Sequence, residues 1–353
     1  MEKMDFNFRR QEVINRRSFL KLSGLLGLGV ASAGIIPATA EAVKFNKKNY
    51  KVSKNTLAMG TFVSMTLIHP SRDEAEEAME LAFGEVERLS GLMNRFDEAT
   101  ALARLNRSGY LHDVPPEVIG VIGKALEYHQ ITHGAFDITV KSIVDLFREK
   151  VDREKGTFPT KRELDKALQL VDSRKIVLEN RSITFKKPGM GITLDGIAKG
   201  YIVDRASRFL AQRGVVNHLI NAGGDIRTMG NKGADKPWAV AIQDPRKRKE
   251  YPDVIHMRDG AVATSGNYEI YFDREKMFHH IVNPSTGMSP ALSTSVSVLA
   301  KTTMEADALS TSVFVMGPRK GTDFINSLPH AESFIINRKG DRSKSLGWKS
   351  SAV

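Results

Sequence analysis

An aspartate and a threonine near the end of the chain have a spacing that fits a metal site. Asp307 and Thr311 are four positions apart in a segment with a helical pattern, 303–315, so both side chains lie on one face of the predicted helix. A carboxylate and a hydroxyl are hard oxygen ligands suited to Mg²⁺. The alternative is an aspartate in the first helical turn that meets the helix dipole, with the threonine hydrogen-bonded to a neighbour.

Four glycine-containing segments are candidates for holding a ligand. Residues 59–61 interrupt a strand pattern, which indicates a bulge or a close approach of backbone to a ligand. Residues 134–137 follow a helix and either end it or place a carboxylate beside a ligand. Asp195 precedes the helical segment 197–212 as an N-cap or a ligand group. Residues 221–225 form a tight turn that fits an anion, or only a turn.

Two adjacent histidines precede a turn that must be rigid. His279 and His280 are followed by Asn283-Pro284, and the pattern predicts a strand over 280–282. Neighbouring residues of a strand point to opposite faces of a sheet. The two imidazoles therefore cannot easily share one metal ion, and at most one of them faces a site.

Helical periodicity and short strand patterns alternate along the chain. The predicted helices are 75–89, 115–132, 197–212 and 303–315, and the charged segment 150–166 is a loop or a short helix. The predicted strands are 57–68, 175–178, 182–185, 218–220, 238–242, 261–264, 270–272, 280–282 and 295–300. Runs of strands with helices on either side predict an α+β fold with mixed, largely antiparallel sheets and flanking helices, rather than a doubly wound parallel sheet.

The first forty residues have the layout of a twin-arginine export signal. Arg16 and Arg17 precede an apolar, glycine-rich stretch, and residues 38–40 supply the small-x-small pattern of a signal peptidase site. The apolar stretch is too short and too rich in glycine for a comfortable transmembrane helix. We predict a signal over 1–40, one domain over 41–353 with no stable membrane span, and a periplasmic location. An uncleaved signal would hold the protein at the inner membrane.

Composition and charge exclude several classes of site. The chain has no cysteine, so we expect no disulfide, thiolate metal site, cysteine nucleophile or lipoprotein-type anchor. The net charge is +11, and with residues 1–40 set aside 46 basic and 38 acidic residues leave +8. The basic run 246–249 lacks interleaved aromatic residues and follows a turn signal, so it fits a solvated loop better than a nucleic-acid site. A mild attraction to anionic ligands or membrane surfaces follows from the charge.

Six of these segments, taken together and in this order, resemble the ApbE family of FAD:protein FMN transferases. The matching segments are 59–61, 134–137, 195–201, 221–225, 280–287 and 307–311. Six ordered motifs are far more specific than any one of them. The resemblance spans about residues 50 to 340 and implies the ApbE fold for most of the chain.

The resemblance also implies a set of binding residues. Mg²⁺ would be held by Asp307, Thr311 and the backbone carbonyl of Ala198. FAD would lie along Met59, Phe96, Ala135, Phe136, Asp137, Asp195, Tyr201 and Ile281. Phe96 departs from the family pattern, because relatives usually carry a hydroxyl-bearing aromatic residue at that place.

The implied activity is Mg²⁺-dependent transfer of the FMN half of FAD to a threonine or serine hydroxyl, with release of AMP. The acceptors would be exported or membrane-bound flavoproteins of electron-transfer chains. A hydroxyl is a poor nucleophile without a base, and His280 is the predicted base, with Asp195 as the alternative. Two other functions remain open: an FAD pyrophosphatase that forms FMN and AMP, and a periplasmic flavin-binding protein.

Overall fold

The computed structural model describes residues 41–45, 48–151, 157–246, 251–267 and 281–350. Its helices are α1 (Arg72–Met93), α2 (Ala101–Ser108), α3 (Pro116–Ile131), α4 (Lys141–Lys150), α5 (Lys161–Leu168), α6 (Ala198–Gln212), α7 (Thr303–Met316) and α8 (Pro318–Asn326). Its strands are β1 (Glu41–Lys44), β2 (Tyr50–Ala58), β3 (Thr61–His69), β4 (Tyr110–Leu111), β5 (Ile176–Glu179), β6 (Ser182–Phe185), β7 (His218–Ala222), β8 (Asp225–Met229), β9 (Trp238–Ile242), β10 (Asp253–Met257), β11 (Gly260–Gly266), β12 (Ser293–Ala300), β13 (Glu332–Asn337) and β14 (Arg342–Lys344). No helix within these ranges is long and apolar enough to cross a membrane.

A nine-stranded sheet runs through the molecule in the order β1-β2-β3-β7-β8-β11-β12-β13-β14. Every pair of neighbours in it is antiparallel. Two smaller antiparallel sheets, β9-β10 and β4-β6-β5, lie beside it. The predicted α+β fold with largely antiparallel sheets is confirmed.

Helices cover one face of the long sheet and the β9–β10 hairpin covers the other. Side chains of α1 and α6 pack on β2, β3 and β7. On β13 the pleat alternates: Ile335 packs with α7 and α8, whereas Phe334 packs with the hairpin and with Trp348. The rings of Phe334 and Trp348 stack with centroids 5.6 Å apart. Because side chains alternate between the two faces of each strand, the core forms two layers, one on each face of the sheet.

The single strand predicted over 57–68 is wrong, because the chain reverses inside it. Strand β2 ends at Ala58 and β3 begins at Thr61. Between them, Met59 has φ 52° and Gly60 has φ 71°. Two successive residues with positive φ form the tight turn that suits a two-residue hairpin. The glycine therefore marks a turn rather than a bulge, and the ambiguity arose because both flanks are apolar and alternating.

The other differences between prediction and structure are mainly helices and strands that the sequence patterns do not predict. The four predicted helices are present, but α7 is followed directly by α8, so it is not the last helix. Helices α2, α4 and α8 and strands β1, β4, β8, β10, β13 and β14 were not predicted. Residues 281–282 are not a strand, because they are not hydrogen-bonded into a sheet. The predicted strand 270–272 and the predicted signal 1–40 lie outside the described residues.

Helices α6 and α7 approach each other closely at their N-terminal ends. A Cβ atom on Gly200 would lie 2.7 Å from Met304 Cα and closer still to the carbonyl oxygen of Thr303. Asp204, one turn further along α6, accepts hydrogen bonds of 2.9 Å from the backbone N–H groups of both Thr303 and Met304. A side chain of α6 thus satisfies two of the amides that the start of α7 leaves unpaired.

Replacing Gly200 with alanine should destabilise the protein, because the new methyl group meets backbone atoms that cannot rotate away. We expect a loss of about 1–3 kcal/mol in the free energy of unfolding, measured by urea denaturation. Gly84→Ala in α1 is the matched control, since a Cβ there meets nothing within 4 Å. That control should gain up to about 1 kcal/mol. Equal stability of the two variants would contradict the close helix contact.

Candidate active site

A cleft opens where the start of α6 meets α7, the start of β8 and the end of β11. Its wall is completed by the segment after α3 and by residues 281–284. Seven of the residues that the family resemblance implied line this cleft: Ala135, Phe136, Asp137, Asp195, Ile281, Asp307 and Thr311. Segments separated by more than 170 positions in the sequence therefore contribute to one site.

Asp307 and Thr311 lie one turn apart on α7, as the four-residue spacing predicted. Asp307 is buried, and its Oδ2 accepts a 3.1 Å hydrogen bond from the backbone N–H of Gly200. Asp307 is the fifth residue of α7, so the alternative that places it in the first turn of its own helix is wrong. The helix N-terminus that it contacts is that of α6. The hydroxyl oxygen of Thr311 lies 3.3 Å from that of Ser265 on β11.

A second buried carboxylate, Asp225, lies beside Asp307. Burial raises the pKa of Asp307 well above its usual range, and the neighbouring charge of Asp225 raises it further. Burial also raises the pKa of Asp225, which the ammonium group of Lys199 counteracts at a distance of 3.2 Å from Nζ to Oδ2. Two carboxylates in one buried place repel each other, and a cation between them would relieve this repulsion.

The donor set fits a hard divalent cation. Asp307 supplies a carboxylate and Thr311 a hydroxyl, while Ala198, the first residue of α6, stands between the cleft-lining Gly196 and Lys199. Mg²⁺ is commonly bound through one or two carboxylates plus substrate phosphates rather than by a full protein cage. The described residues contain no group of three or more histidine, cysteine, aspartate or glutamate side chains able to hold a metal ion.

Asp225 and Lys199 are site residues that the sequence patterns do not identify. Both lie inside the motifs 221–225 and 195–201, but the pattern at Asp225 predicts only a turn, and that at Lys199 predicts no role. The sequence feature that could have identified Asp225 is the pair of glycines before it. In the structure these glycines have φ of 61° and 99°, and the turn that they form brings Asp225 to the cleft. Only the pairing of β7 with β8 places Asp225 beside α7.

Asp137 forms a rigid part of the cleft wall. Its carboxylate accepts hydrogen bonds from the backbone N–H and hydroxyl of Ser173, at 3.1 and 2.7 Å, and from Thr139. His129 Nδ1 lies 3.2 Å from Asp137 Oδ2. Burial alone would raise the pKa of Asp137, but these hydrogen bonds hold it below its usual range. These contacts hold the Asp137 carboxylate in place in the cleft wall.

Asp195 presents an exposed carboxylate to the cleft. It is not the N-cap of α6: the cap position is Ile197, and no side chain caps it. The side chain of Asp195 is 60% exposed, and its Oδ2 lies 3.8 Å from the Nε of the buried Arg95. That exposure leaves the carboxylate accessible to a substrate. Arg95 was not predicted as a site residue.

Three further predicted residues, Phe96, Met59 and Tyr201, are not among the residues that line the cleft. Phe96 is exposed and stacks against Arg95 and Arg148, whose guanidinium carbons are 4.3 and 4.6 Å from the ring centroid. Met59 lies at the tip of the β2–β3 hairpin. Tyr201 packs against the core beneath α6, where burial raises its pKa. His280 lies outside the described residues.

Comparison with known proteins identifies the family. Residues 59–335 match the model of the ApbE family. The FAD:protein FMN transferase of Klebsiella pneumoniae is 27% identical over 93% of this chain and 95% of that one, and that of Vibrio cholerae is 30% identical over 67% and 72%. The crystal structure of the ApbE protein of Thermotoga maritima shares 30% identity and a TM-score of 0.76, covering 84% of this chain and 97% of that one. The flavin transferase ApbE of Vibrio cholerae gives a TM-score of 0.73 at 26% identity, covering 87% and 98%. The resemblance is confirmed, and the chain belongs to the ApbE family of flavin transferases.

Proposed function

We propose that this chain transfers the FMN moiety of FAD to a threonine or serine hydroxyl of an exported or membrane-bound flavoprotein, in a Mg²⁺-dependent reaction that releases AMP. The observation that carries the proposal is the cleft in which Asp307, Asp225, Lys199 and the N-terminus of α6 converge. Such a site suits a ligand made of a divalent cation and a diphosphate. Flavoprotein subunits of electron-transfer chains are the proposed acceptors.

The residues of the chain have separate tasks in this reaction. Asp307, Thr311 and the carbonyl of Ala198 would hold Mg²⁺, which when bound neutralises phosphate charge. Residues 135–137 and Ile281 would position the flavin end of FAD. A base accepts the proton of the attacking hydroxyl, and His280 is the proposed base. Asp195 is the alternative because its carboxylate is exposed to the cleft.

One experiment separates this function from its alternatives. FAD and MgCl₂ are added to the protein with and without an acceptor flavoprotein, and the products are identified by mass spectrometry. An acceptor whose mass has increased by that of an FMN group, together with released AMP, supports the transferase function. Free FMN and AMP without acceptor modification would indicate a pyrophosphatase, and bound, unchanged FAD would indicate a flavin-binding protein.

Asp307→Ala should abolish transfer, because it removes the one charged ligand proposed for the cation. Thr311→Ala should retain more activity, since water can replace a neutral hydroxyl. EDTA should reproduce the effect of Asp307→Ala on the unmodified protein. The measurement is the rate of acceptor flavinylation over a range of MgCl₂ concentrations. Full activity of Asp307→Ala at low MgCl₂ would show that the cation is bound elsewhere.

His280→Ala should slow the chemical step by about 10²–10⁴-fold and leave FAD affinity nearly unchanged, because a positioned base contributes on that order. Activity should also fall at acidic pH, where a protonated imidazole cannot accept a proton. His279→Ala is the control and should be close to neutral. Flavinylation rate and FAD affinity are measured for both, together with Asp195→Asn. A near-normal rate for His280→Ala with a large loss for Asp195→Asn would assign the base to Asp195.

We further propose that residues 1–40 direct export by the twin-arginine route to the periplasm, where the enzyme meets its acceptors. Replacing Arg16 and Arg17 with lysine should retain the protein in the cytoplasm, because the arginine pair is recognised by a receptor. Cell fractionation measures this, and activity of the retained protein controls for folding. Undiminished periplasmic protein in the double variant would exclude this route.

A further inference from the structure

Three hydroxyl groups form a chain of hydrogen bonds between β11 and α7 beside the cleft. The hydroxyl oxygens of Ser265 and Ser310 are 2.8 Å apart, and those of Ser265 and Thr311 are 3.3 Å apart. Ser310 also donates a 3.0 Å hydrogen bond to the backbone carbonyl of Asp307. Ser310 is fully buried, whereas Ser265 and Thr311 line the cleft. The chain of hydroxyls therefore runs from the interior of the protein to the cleft wall.

The buried end of this chain sets the direction of each hydrogen bond in it. A hydroxyl has one proton to donate and a carbonyl oxygen can only accept, so the proton of Ser310 is used by the carbonyl of Asp307. Ser265 must then donate to Ser310, which leaves Ser265 only lone pairs to offer Thr311. Thr311 therefore donates its proton to Ser265, and its own lone pairs stay available.

This direction suits a hydroxyl that binds a cation. A cation attracts the lone pairs of an oxygen ligand and repels its proton, so the O–H bond has to point away from the cation. A glycine keeps space beside the Thr311 hydroxyl: a Cβ on Gly196 would lie 3.2 Å from Thr311 Oγ1 and 3.3 Å from Phe136 Cε2. The Thr311 oxygen thus has a neighbour that accepts its proton and room for a ligand in the cleft.

We propose that Ser265 and Ser310 are positioning residues that orient the Thr311 hydroxyl for binding a divalent cation. This rests on the proposed function, in which Thr311 is a ligand of Mg²⁺. Partners that hydrogen-bond to metal ligands fix the orientation of those ligands, and their loss typically lowers metal affinity about 10–100-fold. Ser310 is not among the described residues that line the cleft, so its effect on the cation has to pass through the other two hydroxyls.

The competing explanation is that these hydroxyls only fasten β11 to α7. Two serines with similar contacts provide matched controls. Ser297 on β12 has its hydroxyl oxygen 2.7 Å from that of Thr264 on β11, and Ser312 on α7 donates a 2.7 Å hydrogen bond to the carbonyl of Ala308. Both control serines are fully buried, as Ser310 is. A merely structural role would make all four serines behave alike.

The main readout is the affinity for Mn²⁺, a paramagnetic substitute for Mg²⁺, measured by EPR with FAD present at one saturating concentration. Tm without metal is measured alongside. We expect Ser265→Ala and Ser310→Ala each to weaken Mn²⁺ binding about tenfold. Ser265→Thr, which keeps a hydroxyl, should retain most of the affinity. The control variants Ser297→Ala and Ser312→Ala should change Tm alone.

A double-variant cycle tests whether Ser265 acts through Thr311. Once Thr311 is alanine, no hydroxyl is left to orient, so Ser265→Ala/Thr311→Ala should bind Mn²⁺ as weakly as Thr311→Ala and no more weakly. Additive losses would overturn the proposal, because Ser265 would then act on the site by itself. Unchanged Mn²⁺ affinity in Ser265→Ala or Ser310→Ala would also overturn it, as would equal losses in the control variants.

Failure of the proposed function would be seen separately. An unmodified chain that binds FAD and Mn²⁺ but transfers no FMN would contradict the transferase, while the cycle would still decide the role of Ser265. Unchanged Mn²⁺ affinity in Thr311→Ala would overturn both the cation site at Thr311 and the positioning role of the two serines.

Discussion

The site depends on one contact, the close approach of α6 and α7 at Gly200. Because no Cβ is present, the start of α6 comes near enough for the Gly200 N–H to donate to Asp307. The same approach lets Asp204 cap the first amides of α7. Both helices then direct polar groups into one cleft: α6 contributes Lys199, and α7 contributes the carboxylate of Asp307 and the hydroxyl of Thr311. A larger residue at position 200 would push α6 and α7 apart and so separate these groups.

The site holds charge in a place that disfavours it. Asp225 and Asp307 are both buried, and one lysine is a poor match for two carboxylates. Removing charged groups from water costs several kcal/mol per ion, so such clusters weaken folding unless they are compensated. In the proposed reaction, a bound cation and the diphosphate of the substrate would complete the charge balance.

The two aspartates of the cleft wall differ in how firmly their surroundings hold them. Asp137 is held by Ser173, Thr139 and His129, so residues 135–137 have a fixed backbone. Asp195, by contrast, has an exposed carboxylate whose Oδ2 lies 3.8 Å from Nε of Arg95. Two aspartates that look alike as sequence motifs thus have different physical situations. The carboxylate of Asp137 is held by several hydrogen bonds, which lower its pKa, whereas the carboxylate of Asp195 is exposed to the cleft.

The sequence by itself determined the α+β class, the four long helices and the family, because helical periodicity and six ordered motifs are local properties. It also placed Asp307 and Thr311 on one helix face, since a spacing of four is independent of the rest of the fold. It could not distinguish the hairpin at Met59–Gly60 from a bulge, nor the roles of Asp137 and Asp195. Only the tertiary structure decided that Asp225 and Lys199 meet beside Asp307. That meeting results from the pairing of β7 with β8 and the packing of α6 on α7, which join residues far apart in the chain. No local sequence pattern predicts such a contact.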